Sequence, residues 1–133
     1  MKKSAYLTFV FIFLYSLASY GAQTPPAYNL KYEFSTEKNY QQVYRLIMKN
    51  ADACSKQGLI SKPVTDGQLY TELKAGDIKI SVLAPFGKYT HIRVGIEIVD
   101  DKTKVTVSND FEAWDGLAKA IRDWVIDETD SCK

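Results

Sequence analysis

The chain contains one histidine and two cysteines, so few side chains could carry acid–base, nucleophilic or metal chemistry. His91 lies two residues before Arg93, and the next carboxylate of the same strand parity, Glu97, is six residues away. At the rise of a strand that spacing is about 20 Å, too far for one group to orient the other. A metal site would need two or three further ligands. We therefore expect no catalytic residue, no metal and no cofactor, and we predict that the protein is not an enzyme.

The two cysteines each extend an apolar stripe that has helical spacing. Cys54 lies seven residues after Ile47, and Cys132 lies seven residues after Val125. Exported chains commonly oxidise such a pair, and neither cysteine has a Cys-x-x-Cys spacing or an adjacent histidine. We predict a structural disulfide between Cys54 and Cys132, and a redox or nucleophilic cysteine is the alternative. In the chain-entropy model, closing so long a loop stabilises the fold by roughly 4–5 kcal/mol.

The first residues of the chain have the order of a secretory signal peptide. Lys2 and Lys3 precede a nearly continuous apolar run over residues 6–17, and small residues follow it. The run is shorter than the roughly 20 apolar residues of a membrane span, which is the alternative interpretation. We predict a signal peptide over 1–21 and expect a soluble periplasmic protein with no membrane span after cleavage. No cysteine lies near the cleavage region, so we expect no lipid anchor.

Charge and length limit the mature protein further. The chain has 17 basic and 16 acidic residues, and without Lys2 and Lys3 it would have 15 basic residues and a net charge near −1. A nearly neutral protein has no long-range field that gathers phosphates, so we expect no nucleic-acid partner. About 112 residues are enough for one domain of ordinary size. We predict an extended lead-in over 22–27 and a single domain over 28–133.

The elements that must position these residues are mostly strands. Four runs between Gly67 and Ser108 alternate β-branched or other apolar residues with polar ones. This alternation indicates an antiparallel sheet with one buried face. Turn residues separate the runs at 74–77, 85–88 and 100–103. We interpret the aspartate pair of the last turn as part of a hairpin and not as an acid–base or calcium pair.

A strand and a helix precede this meander. Tyr28–Phe34 alternates in the same way, and Ser35 or Thr36 could cap a helix after it. The apolar stripe of that helix extends from Tyr40 to Cys54. We predict a loop over 59–66 that returns to the sheet.

A second helix follows the meander. Asn109 and Asp110 are its capping candidates, and its apolar stripe extends from Trp114 to Val125 with Phe111 and Trp124 on the margins. The acidic residues after the stripe either fray or form an acidic lip for a partner, and they are Asp127, Glu128 and Asp130.

These elements predict an α+β domain with about five antiparallel strands in the order β-α-β-β-β-β-α. Both helices should pack on one face of the sheet, because only one parity of the strands is apolar. The predicted core consists of Ile47, Ile80, Val94, Ile96, Trp114 and Ile121.

The predicted order of elements resembles the helix-grip arrangement, in which a sheet wraps a long helix. The segments Tyr40–Cys54, Asp66–Tyr70 and Trp124–Cys132 are also similar to small uncharacterised lipoprotein-type domains of Gram-negative envelopes. The resemblance implies an envelope location and carries over no catalytic residue. Tyr20 stands where a lipoprotein has its lipidated cysteine, which departs from that pattern.

Two functions from different classes agree with these features. The first is an exported, non-enzymatic interaction protein with a protein partner in the cell envelope, either an envelope accessory or an immunity-type factor. The alternative is a module that binds a small apolar or lipid-like ligand between the sheet and the helices. The outward parity of the strands and their turns carry a candidate contact patch, which consists of Tyr70, Leu83, Phe86, Tyr89, His91 and Arg93.

Overall fold

A five-stranded antiparallel sheet and two helices make up the described part of the chain, residues 28–55 and 63–132 of a computed structural model. The elements are β1 (Leu30–Thr36), α1 (Tyr40–Ser55), β2 (Pro63–Tyr70), β3 (Ala75–Ala84), β4 (Gly87–Val99), β5 (Lys102–Asn109) and α2 (Asp115–Ile126). A short 3₁₀ turn, Glu112–Trp114, precedes α2. This order confirms the predicted α+β class. The predicted signal peptide and lead-in lie outside the described residues.

The strands are arranged in the order β1-β5-β4-β3-β2, and every neighbouring pair is antiparallel. One face of the sheet buries aliphatic residues under the helices, as the period of two predicts. Ile80, Val94 and Val107 lie on this face, and all three are fully buried. From α1, Val43 and Ile47 are fully buried against it.

The six predicted core residues all belong to one buried cluster, so that prediction is confirmed. Trp124, predicted on the margin of the second helix, is instead fully buried. Its Nε1 donates a hydrogen bond to the backbone carbonyl of Ser131 at 2.6 Å. A buried indole needs such a partner for its N–H, and the chain that follows α2 supplies it.

The predicted loop over 59–66 is wrong from residue 63 onward. Pro63 begins β2, which pairs with β3 as far as Tyr70, and the turn before β3 is Thr71–Lys74. Proline is tolerated there because β2 is an edge strand and Pro63 is its first residue. Residues 59–62 lie outside the described residues.

The helix caps also differ from the prediction. Because β1 pairs with β5 as far as Thr36, neither Ser35 nor Thr36 caps α1. Asn39 does so, since its Oδ1 accepts a hydrogen bond from the N–H of Gln41 at 2.8 Å.

At the other helix, Asn109 organises the connection into α2. Its Oδ1 accepts from the N–H of Phe111 at 3.2 Å, and its Nδ2 donates to Asp115 Oδ1 at 2.8 Å and to the Phe111 carbonyl at 2.9 Å. Asn109 is almost fully buried, so this side chain satisfies polar groups that water cannot reach.

The last residues of the chain fasten the two helices together. The helix α2 ends at Ile126, so the expectation that Cys132 continues its stripe is wrong. The following tail instead lies along α1: Asn50 Nδ2 donates to the Thr129 carbonyl at 3.4 Å, and Cys132 is bonded to Cys54. The Cα atoms of the two cysteines are 5.4 Å apart, within the ordinary range for a disulfide.

The first helix approaches the sheet most closely at Gly67. A Cβ at this position would collide with the hydroxyl of Tyr44 and would lie 2.6 Å from Sδ of Met48. A side chain at position 67 would therefore have to displace the ends of Tyr44 and Met48 where α1 crosses β2. The helix and the sheet are in direct contact at this side of the domain.

Candidate contact surface at the β3–β4 hairpin

The β3–β4 hairpin extends beyond its neighbours in the sheet. Pairing of β2 with β3 begins at Pro63 opposite Val82, and pairing of β5 with β4 ends at Asn109 opposite Ile92. Among residues 28–55 and 63–132, the residues nearer the hairpin turn pair only with each other, up to Ala84 opposite Gly87. The hairpin tip therefore projects beyond the described parts of β2 and β5.

The projecting tip carries exposed apolar side chains. Phe86, in the turn, is 95% exposed, and Leu83 and Tyr89 on either side of it are 48% and 52% exposed. The five residues from Leu83 to Gly87 include no charged group. Hairpin turns are normally rich in glycine, asparagine and aspartate, so an uncharged turn with a fully exposed phenylalanine is unusual.

A β-bulge separates the tip from the regular part of the hairpin. Ile80 pairs with Ile92 but the next residue, Ser81, pairs with Thr90, so His91 is the inserted residue. The insertion reverses the parity of β4 on its turn side. As a result Tyr89, opposite Val82, lies on the helix-side face and not on the outer face that its spacing from Arg93 predicts.

The register of β4 against β5 gives His91 a carboxylate partner that the sequence interpretation missed. Its Nδ1 is 3.1 Å from Oδ1 of Asp110, and Glu97 lies along the strand. The imidazole also contacts two aromatic rings, Phe111 with centroids 5.4 Å apart and Trp114 with centroids 5.7 Å apart. The sequence interpretation considered only Glu97 on the same strand, whereas Asp110 becomes adjacent through the pairing of β4 with β5.

A tyrosine of the N-terminal segment joins the same corner. The Tyr28 hydroxyl donates to Oδ2 of Asp115, whose other oxygen accepts from Asn109. The hydrogen bond to Asp115, then desolvation and the carboxylate charge, raise the pKa of Tyr28 to about 12. The point at which the described chain begins is thus fixed beside the hairpin.

The structure separates the predicted contact patch into different locations. Tyr70 pairs with Ala75 at the opposite end of the sheet from Leu83, so it cannot form one patch with the hairpin tip. Arg93 lies on the outer face opposite Lys79, and His91 is packed between aromatic rings. Phe111, which is 51% exposed and in contact with His91, was missing from the patch. We define the hairpin surface as the exposed apolar residues around this end, Leu83, Phe86, Tyr89 and Phe111, of which Leu83 lies on the outer face and Tyr89 on the helix-side face.

The outer face of the sheet has a different character, because ion pairs cross it. Lys104 lies 3.0 Å from Glu33 and 4.0 Å from Glu97, and Lys79 lies 3.6 Å from Asp77. The hydrogen bond from Lys104 holds the pKa of Glu33 below its usual value. Paired charges of this kind are typical of a solvated face.

Residues 28–55 and 63–132 contain neither a candidate membrane span nor a candidate metal cluster. Within these ranges no helix is long and apolar enough to cross a membrane. The same residues contain no group of three or more histidine, cysteine, aspartate or glutamate side chains that could hold a metal ion.

No family model and no curated protein sequence matches this chain. Among solved structures, the crystal structure of Ara h 8.0201 superposes with a TM-score of 0.42 and 12% sequence identity. The match covers 76% of this chain and 99% of that one. A likeness at this level assigns neither a ligand nor a function.

Proposed function

We propose that the protein is an exported, non-enzymatic interaction protein that binds a protein partner in the cell envelope through the hairpin surface. The observation that supports this proposal is the 95% exposure of Phe86 at the end of an uncharged, projecting turn. Aromatic residues that become buried on association supply a large part of the energy at protein interfaces. Because the side chain of Phe86 is almost fully exposed, its burial against a partner would add binding energy without a cost to the fold.

The covalent structure supports the location. A disulfide that joins α1 to the tail persists in an oxidising compartment such as the periplasm. The basic, apolar and small residues at the start of the sequence supply an export signal, which would be removed near residue 21. An envelope accessory and an immunity-type factor both fit this description.

We also propose that His91 takes part in no enzymatic activity. Asp110 engages Nδ1 of the imidazole, and Phe111 and Trp114 lie against the ring. These contacts give His91 a structural role, because they connect the bulge in β4 to the segment that precedes α2. The variant His91→Ala should keep partner binding within about threefold, since His91 is not part of the hairpin surface. A loss of the cellular phenotype with folding and partner binding intact would contradict a non-enzymatic role.

The experiment is a capture from envelope extract with the mature, oxidised protein as bait. The test variant is Phe86→Ser, and the matched control is Leu73→Ser, which changes an exposed apolar turn residue at the opposite end of the sheet. We expect one saturable partner that is retained by the wild type and by Leu73→Ser and is lost with Phe86→Ser. Equal capture by all three proteins would refute the hairpin surface as the binding site.

Ligand binding between the sheet and the helices is the second candidate function. An aromatic corner before α2, in which the half-exposed Phe111 and the buried Trp114 both contact the His91 ring, favours this alternative. The contact of α1 with Gly67 opposes it on the β2 side. Titration with the apolar fluorophore 8-anilinonaphthalene-1-sulfonate distinguishes the two functions. Stoichiometric, saturable binding that Phe86→Ser leaves unchanged would favour the ligand-binding module.

A further inference from the structure

The hydrogen-bonding directions of β4 follow from its two hairpin turns. Val99 pairs with Lys102 directly across a two-residue turn, so odd-numbered residues of β4 direct their backbone N–H and C=O groups toward β5. Ala84 pairs with Gly87 across the other two-residue turn, so Gly87 and Tyr89 direct theirs toward β3. At the bulge, the backbone hydrogen-bonding direction of odd-numbered residues in β4 changes from β5 to β3.

On the turn side of the bulge, the backbone N–H and C=O groups of Lys88 and Thr90 therefore point away from β3, toward the side where β5 would continue. The strand β5 does not continue there: its last contact is the hydrogen bond from the Asp110 N–H to the His91 carbonyl at 3.1 Å. Among the described residues, the backbone groups of Lys88 and Thr90 have no strand partner on this side. They form a short open edge next to the hairpin surface.

We propose that the partner adds an extended segment to this open edge, in line with β5. The inference rests on the proposed function and specifies how the partner is bound. Main-chain hydrogen bonds to Lys88 and Thr90 would supply the pairing, and Tyr89 and Phe111 would receive alternate apolar side chains of the added segment. The partner chemistry is thus an extended polypeptide with apolar residues at every second position.

The two true edges of the sheet are poorer sites for the same addition. The outer parity of β1 carries Lys31 and Glu33, and β2 begins with a proline that has no N–H to donate. Charged residues and proline on edge strands discourage pairing with another chain. At the open edge the charge of Lys88 is drawn toward Asp66 by an ion pair, and the carboxylate of Asp110 lies 3.1 Å from His91 Nδ1. The other exposed neighbours are Leu83, Tyr89 and Phe111.

Photocrosslinking tests the geometry. The residue p-benzoyl-phenylalanine is placed at position 88 or 90 of the mature oxidised protein, with position 31 on β1 as the matched edge control. After irradiation in envelope extract, the crosslinked partner peptides are sequenced. We expect crosslinks from positions 88 and 90 to lie two residues apart in one partner segment, with none from position 31. A spacing of three or four residues, crosslinks to lipid, or equal crosslinking from position 31 would overturn strand addition.

A backbone variant tests the hydrogen bonds separately. Lys88→Pro removes an edge N–H that no described strand uses, and Lys88→Ala is the control for the lost side chain. With the purified partner identified by the capture experiment, we expect Lys88→Pro to weaken binding about tenfold relative to Lys88→Ala. Equal affinities would overturn the proposal.

If Lys88→Pro does not fold, amide hydrogen exchange of the wild-type complex replaces it. Exchange at Lys88 and Thr90 should then slow at least about tenfold in the complex, and unchanged exchange would overturn strand addition. A partner that Phe86→Ser releases, without protection of these amides, would leave the proposed function standing and refute this inference alone. Failure of the wild type to capture any partner would refute both.

Discussion

The two ends of the sheet are built for different tasks. At the end away from the β3–β4 hairpin, the turns carry charged residues, one of them beside the exposed Leu73, and Asp100 and Asp101 have φ angles of 50° and 63°, as a tight hairpin turn with the native twist requires. There the Thr103 hydroxyl donates to the Lys38 carbonyl at 2.6 Å, and Lys38 itself is paired with Glu128 at 3.2 Å. This end is held by hydrogen bonds and ion pairs.

The hairpin end shows the opposite pattern at its tip. The residues from Leu83 to Gly87 are uncharged, and the backbone of Lys88 and Thr90 lacks a strand partner on the β5 side among the described residues. Behind the tip, the corner formed by His91, Asp110 and Trp114 is firmly packed. What distinguishes the tip is its combination of exposed apolar side chains, an uncharged turn and backbone groups without a β5 partner among the described residues; exposed apolar residues such as Leu73 also occur at the other end. Stability and binding should therefore be separable by mutation.

The largest expected effect concerns the disulfide, which belongs to neither end of the comparison. Replacing both Cys54 and Cys132 with serine should lower the free energy of unfolding by roughly 4 kcal/mol, because the bond closes a loop with a sequence separation of 78. Denaturant melts of the oxidised wild type and the double variant measure the loss. Partner binding at temperatures where the variant is folded should not change. Two freely alkylated thiols in unreduced periplasmic material would show that the bond does not form.

The next effect compares a buried and an exposed residue of the same hairpin. Ile96→Ala in β4 should cost about 2–5 kcal/mol, because the side chain is almost fully buried and its loss leaves a cavity. Phe86→Ala at the tip should change stability by no more than about 0.5 kcal/mol. Urea unfolding of both variants gives the two numbers. A cost below roughly 1 kcal/mol for Ile96→Ala would mean that its strand face is assigned wrongly.

Tyr32 gives a smaller effect with a predicted pH dependence. Its hydroxyl donates to the carbonyl of Ala118 in α2, so Tyr32→Phe should cost about 0.5–1.5 kcal/mol at neutral pH. Burial raises the pKa of Tyr32 above its usual value near 10. The folded state therefore holds the phenolic proton more tightly than the unfolded state does. The contribution of the Tyr32 phenol to the free energy of unfolding is therefore complete below about pH 10 and declines as the pH rises above that value.

Melting curves at neutral and alkaline pH test this prediction. The wild type should lose more stability than Tyr32→Phe between pH 9 and about pH 11, because the variant has no phenol to ionise at this position. Parallel losses in the two proteins would show that other groups determine the alkaline transition.

The smallest effect concerns the ion pairs on the outer face. Glu33 has a lowered pKa through its hydrogen bond from Lys104, so its contribution is present above its unfolded pKa and is lost as the pH falls through the folded value. Glu33→Gln should reduce stability slightly at neutral pH, and salt should remove the difference because the pair is solvent-exposed. A difference that persists in high salt would point to packing instead of charge.

The sequence predicted the parts of the fold that depend on periodicity. The faces of Ile96 and Ile47 follow from alternation along a strand and from helical spacing, and both residues are buried as predicted. The face of Tyr89 could not be predicted, because one inserted residue reverses the parity of a strand and alternation does not reveal the insertion. The same holds for Asp110, which reaches His91 only through the register of two strands.

The candidate surface was predictable only in part, because some of its residues are neighbours in sequence and others are brought together or separated by the strand register. Leu83, Phe86 and Tyr89 are neighbours in sequence, so a hairpin turn was enough to group them. Tyr70 was grouped with them wrongly because the register of β2 against β3 was not known. That register pairs Tyr70 with Ala75, at the opposite end of the sheet from the hairpin tip. Phe111 was assigned to a helix margin, whereas the helix begins only at Asp115.

The most direct test of the central claim is the affinity of the captured partner for Phe86→Ser and for Leu73→Ser, measured by calorimetry against the oxidised wild type. Both changes remove an exposed apolar side chain from a turn, one at each end of the sheet. A buried aromatic at the centre of an interface is worth about 2 kcal/mol or more, so Phe86→Ser should weaken binding by at least about thirtyfold. Leu73→Ser should stay within about twofold of the wild type. Equal affinities for the two variants, or a greater loss with Leu73→Ser, would contradict the assignment of binding to the hairpin end.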